Sequence, residues 1–150
     1  MALNLITRQE YKTYAGIKST NQDAEIDALI PRISDFVKTY CRRTFVDYMD
    51  TPRVEILAGG VTSFLLKESP VVDVQSVEYS EDYGQTYTPL IKYTDWVDDG
   101  DTVIGILPTG FPKKIKGYRI TYTAGYEDVP QDLALAIMDM VTYYLRHDGG

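Results

Sequence analysis

His147 is the only histidine in the chain. It falls in the last turn expected of the final helix, where nothing local supplies the fixed partner and pocket that a general base needs. A charged imidazole there interacts favourably with the helix C-terminus, so its place is at the surface. Cys41, the only cysteine, is followed by Arg42 and Arg43, and arginines can lower a thiol pKa enough to make a nucleophile. With the histidine far along the chain, the stronger reading is a small buried hydrophobe. A lone cysteine forms no intramolecular disulfide, which suits a reducing compartment. Asp95, Asp98, Asp99 and Asp101 invite a calcium reading, but an EF-hand loop needs glutamate at its twelfth position. Counted from Asp95, that position is Ile106, and Asp-Gly is itself a hairpin turn signal. Gly59-Gly60 lacks the lysine and following helix of a phosphate-binding loop. Lys113, Lys114 and Lys116 form the only basic cluster, suited to a solvated hairpin end or an acidic neighbour. No catalytic, metal-binding or cofactor-binding set emerges, so we expect no enzyme and no cofactor.

The thirteen tyrosines point to surfaces rather than to chemistry. Tyrosine is enriched at protein–protein interfaces because it joins apolar area to a hydroxyl, though it also favours strands. Tyr143 and His147 fall off the apolar stripe of their helix.

The element around which the chain is organised is Asn21 to Phe45. Ile26, Leu29, Ile30, Ile33, Val37 and Tyr40, with Phe36 beside them, recur at helical spacing, while Asp27, Arg32, Asp35 and Lys38 fall on a face for water. Pro31 predicts a kink, or a short helix followed by a longer one. Before it, Thr7 and Glu10 form a capping box for a brief helix ended by Gly16. After it the period changes to two. Arg53–Leu57 and Val61–Leu66 read as a hairpin around Gly59-Gly60. Val71–Tyr79 follows, with a bulge between Val74 and Val77. Tyr87–Tyr93 is an edge strand because of Pro89, and Thr102–Leu107 a further short strand. Lys116–Thr123 is the clearest strand, with Tyr118, Ile120 and Tyr122 on one face. Glu127–Arg146 is the closing helix, with Asp128 as N-cap and a stripe of Leu133, Ile137, Met140, Val141 and Tyr144. The expected fold is α+β, a mostly helical core of short N-terminal, long kinked and long C-terminal helices. An antiparallel β-rich insert over about 51–123 lies between them, within a single domain spanning 1–150.

A chain of 150 residues, 44% of them hydrophobic, can pack a core. No apolar run reaches the ~18–20 residues of a membrane span, and the opening MALNLITRQEY lacks the pattern of a secretory signal. The formal net charge of −7 opposes general affinity for phosphate backbones, which Lys and Arg drive by displacing counterions.

The opening LITRQEYKTYAGI, the helix end YCRRTF over Tyr40–Phe45, and ITYTAGYEDVPQDL, most specifically Tyr122–Leu133, together resemble the bacteriophage head-tail connector (adaptor, head completion) family. The resemblance covers both ends of the chain, and the middle strands match in character. It implies a structural virion protein at the head–tail junction, assembled in the host cytoplasm. In such proteins a ring, usually dodecameric, sits beneath the portal and extends the DNA channel. The implied partners are the portal, neighbouring copies and a downstream stopper, neck or tail protein, with DNA only in passage and no membrane. Members often grip the portal with the segment after the last helix, which is expected to be short here. Arg42, Arg43, Tyr126, Tyr143, Arg146 and His147 are candidates for the subunit or portal interface. Tyr83, Asp98, Asp99, Lys113 and Lys114 are candidate loop contacts. Another neck or tail-completion protein is the main alternative, and a small enzyme the outsider.

Overall fold

The computed structural model describes residues 3–148, with side chains through residue 146. Its elements are α1 (Arg8–Ala15), α2 (Asp23–Cys41), β1 (Arg53–Leu57), β2 (Ser63–Leu65), β3 (Val71–Tyr79), β4 (Thr88–Pro89), β5 (Trp96–Asp99), β6 (Thr102–Gly105), β7 (Tyr118–Ala124) and α3 (Gln131–Asp148). They fall into two compact units. One holds the chain up to Asp47 and from Tyr126 onward, the other Tyr48–Gly125.

The first unit is helical. Thr7 caps α1 by accepting from the Glu10 N–H, the Glu10 side chain accepts from the Thr7 N–H, and Gly16 closes the helix at φ 71°. Helix α2 runs through Pro31 as one element, so the expected split into two helices does not occur. Pro31 and Asp27 are both exposed, which leaves the carbonyl that lost its partner open to water. Ile26, Ile30, Ile33 and Val37 pack with Leu5, Ile6, Tyr11, Ile137, Val141 and Leu145.

Several helix assignments need correction. Phe36 and Tyr40 are exposed and stack on each other with centroids 6.2 Å apart, and Cys41 is exposed rather than buried. The straight stripe drifts off the core as α2 nears its end. Lys38, expected in water, is 8% exposed because its ammonium donates to Asp47 Oδ1 at 2.7 Å and to the Leu3 carbonyl at 2.5 Å. In α3 the buried position is Leu145 and not Tyr144. That helix begins at Gln131, so Asp128 lies too far back to cap it.

The second unit is built of strands. A four-stranded sheet has the order β1-β7-β3-β4, and a three-stranded sheet the order β2-β6-β5; every ladder is antiparallel. Strand β7 buries Tyr118, Ile120, Tyr122 and Ala124 in strict alternation. These residues share a core with Val74 and Val77 of β3, Phe64 of β2, Trp96 of β5 and Val103 of β6. The ladder between β3 and β7 shifts register between Val74 and Ser76, and also between Val71 and Asp73. The Gly59-Gly60 hairpin does not form. β1 pairs with β7 and β2 with β6, and the glycines instead let the chain turn against 111–112, with the Gly60 N–H donating to the Phe111 carbonyl at 2.7 Å. Strand β5 lay unread behind the acidic turn.

The expectation of a mostly helical core is overturned. Three helices take 30% of the chain, and seven strands in two antiparallel sheets make the architecture β-rich. Eleven buried hydrophobic residues form the helical core and eleven the β core, among the described residues. Each strand is only two to nine residues long. Each therefore signals weakly alone, while their sum packs as much as the long helices do.

Candidate interaction surfaces

The helix end YCRRTF and the segment from Tyr126 meet in the first unit. The Tyr126 N–H donates to the Phe45 carbonyl at 2.7 Å. The Arg43 guanidinium lies 4.9 Å from the Phe45 ring centroid and 5.9 Å from that of Tyr126, a cation–π clasp. Arg42, at φ 57°, is the left-handed C-cap of α2 and is exposed. Tyr143 and Arg146 are exposed on α3 and line a shallow groove with Tyr14 and Asp139. Tyr14 donates a short hydrogen bond to Asp139, which raises the tyrosine pKa. His147 belongs to α3, and its side chain lies outside the described residues.

A larger open groove of about 1180 Å³ runs along residues 3–14, Val46 and 127–138. Its apolar floor includes Leu5, Ile6, Val129 and Met138, and its charged lining is Glu10, Glu127, Asp128 and Asp132, with no basic residue. Periodicity did not reveal it, because 3–6 and 127–130 are irregular segments.

In the second unit the candidate loop residues are separately engaged. Asp98 pairs with Lys92 at 3.3 Å, and Asp99 stands opposite Thr102 at the β5–β6 turn. Their neighbours are used structurally as well: Asp95 accepts from the Ile91 N–H and Asp101 from the Val71 N–H. Among the described residues no group of three ligands is placed to hold a metal. Lys114 pairs with Glu81 at 2.6 Å and lies 5.3 Å from the Tyr79 ring centroid. Lys113 is exposed, and Tyr83 is 70% exposed at φ 63°. Beside Tyr83, Asp82 accepts from Thr86 Oγ1, the Thr86 N–H and Ser80 Oγ, and these bonds hold its pKa down to about 2.

A polar cluster that sequence reading missed lies inside the sheet. Tyr122 donates a short hydrogen bond to Glu55 and accepts from the Glu68 N–H, while Arg53 pairs with Glu68 at 3.0 Å. Burial, with the Glu55 hydrogen bond, pushes the Tyr122 pKa up. Glu55 is 5% and Glu68 2% exposed. Such enclosed carboxylates fix strand placement and offer no opening to a substrate. Their sequence signal was faint, a glutamate between Val54 and Ile56 in β1 and another in the segment after β2.

The family model described as head completion protein matches residues 4–149. The chain belongs to that family. No curated protein matches it. Among solved structures, the chain is similar to a chain from the neck of an empty GTA particle computed with C6 symmetry. There the TM-score is 0.68 at 16% identity, over 95% of this chain and 78% of that one. A chain from the neck of a native GTA particle computed with C12 symmetry gives 0.66 at 18%, over 97% and 84%. A chain from the virion of the native gene transfer agent gives 0.65 at 18%, over 95% and 78%. At these identities the likeness is one of fold.

Proposed function

We propose that this chain is a structural component of the head–tail junction of a virion. Its copies close a ring beneath the portal and extend the channel through which DNA passes. The observation that carries the reading is the fold shared over nearly the whole chain with chains of particle necks computed with C6 and C12 symmetry. Its partners are then the portal, neighbouring copies and the next neck or tail protein, and its work involves no turnover. The two units serve together as one connector domain. Support for DNA passing without adhering comes from the net charge of −7. Arg42, Tyr143 and Arg146 on the helical unit, with the half-buried Arg43 and Tyr126, are offered to a neighbour or the portal. Tyr83, Lys113 and Lys114 on loops, with Asp98 and Asp99 at the end of β5, are offered as further contacts with partners.

Mass photometry of the purified chain, alone and mixed with portal from the same virus, tests this. A new species with about one copy per portal subunit is expected for a ring matched to its platform. A chain that ignores portal at every salt concentration but binds a tail component would make it a tail-side neck protein instead.

A further inference from the structure

The loop over 112–117 carries an apolar side chain that its own unit does not use. Ile115 is 64% exposed, with Lys113, Lys114 and Lys116 around it. The backbone beneath is pinned. The Lys114 N–H donates to the Ala58 carbonyl and the Gly117 N–H to the Lys114 carbonyl. Tyr118 and Tyr87 donate to the carbonyls of Pro112 and Lys116. The loop is therefore held in one shape while Ile115 stays in water, and such preorganisation lowers the cost of binding. Lys114 is held by Glu81, whereas Lys113 and Lys116 are exposed.

The helical unit presents the complementary surface. Its open groove has an apolar floor and four carboxylates in its lining, with no lysine or arginine among them. Glu10 is engaged in the α1 capping box, and Glu127 and Asp128 are exposed.

Resting on the ring reading above, we infer that loop 112–117 of one copy seats Ile115 in the acid-lined groove of the next, with Lys113 and Lys116 facing Glu127 and Asp128. A loop on one surface and a groove on another make a heterologous contact, the kind that repeats around a closed ring. The charge match sets register and rejects the wrong neighbour.

Two full-length variants test it, Lys113→Glu/Lys116→Glu and Glu127→Lys/Asp128→Lys, all at exposed positions, with melting curves to confirm folding. The first has an acidic loop facing an acidic groove; the second keeps a basic loop and makes the 127–128 edge that it faces basic, with Glu10 and Asp132 still in the lining. Each alone should lose self-association by about tenfold or more, read by mass photometry with and without portal. An equimolar mixture should restore it, because acidic and basic copies then alternate. If both variants assemble like the parent, the loop and groove do not meet and the ring reading stands. If the folded variants fail and the mixture stays dispersed, the inference is overturned as well. A parent that never self-associates, even on portal, removes the ring reading and the inference with it.

Discussion

Lys38 lies on the core side of α2 because Asp47 and the Leu3 carbonyl meet its ammonium there. The side chains of this pair are 8% and 10% exposed. Lys38→Met takes the cation from a largely buried carboxylate that keeps only the Leu3 N–H, and we expect a loss of about 3 kcal/mol in urea unfolding. Lys38→Met/Asp47→Leu removes both charges and should lose less; an equal or greater loss would show that pairing is not what Lys38 supplies. Asp82 makes a second prediction. Its folded pKa of about 2 lies below the unfolded value of about 3.9. Its contribution is thus complete above the unfolded value and lost as the pH falls through about 2. A carboxyl carbon titration by NMR should show that midpoint, and Thr86→Val should raise it by removing the hydroxyl that donates to Asp82 Oδ2 at 2.6 Å; an unchanged midpoint would count against the Thr86 hydroxyl. Single residues were legible where the signal is local, as in the Thr7–Glu10 box. Lys38 was misjudged because the group that draws it inward, Asp47, lies beyond the helix, and helical period carries no information about it.

At the scale of elements, β7 could be read from its own alternation, because a central strand with one buried face writes that face into every second residue. The partners of β1 and β2 could not. Two flanking strands and a Gly-Gly between them satisfy the hairpin pattern, yet the pairing is decided by residues far along the chain, such as Ile120 opposite Glu55, 65 positions away. Gly59 marks the difference. At φ 80° a Cβ there would lie 2.5 Å from the Tyr118 ring and 2.6 Å from the Pro112 carbonyl oxygen, whereas Gly100, at φ 57°, has open space. Gly100→Ala should cost about 1 kcal/mol for the left-handed backbone alone. Gly59→Ala should cost clearly more, and similar melting temperatures for the two would refute the close approach.

For the whole molecule, charge governs what the surface attracts. Labelled duplex DNA at low salt should show no saturable binding to a chain of net charge −7, and tight binding would argue against a passive channel. Fold class was legible only in outline. The long stripes of α2 and α3 made the helices look dominant, while the β core is assembled from segments too short to announce themselves. The family was legible because its marks sit where the chain passes between the units, Tyr40–Phe45 just before the β unit and Tyr122–Leu133 running from β7 back into the helical unit. That arrangement sets a timetable on the ribosome. The 78 residues of Tyr48–Gly125 must emerge before Glu127–Met138 can join Leu3–Tyr14, a wait of about 4–16 s at bacterial translation speeds. The acidic groove therefore does not exist on a nascent chain whose sheets are already folding. If loop 112–117 and this groove are the two halves of the contact inferred above, such a chain offers its loop before it has a groove, so it can occupy a neighbour but cannot yet receive one.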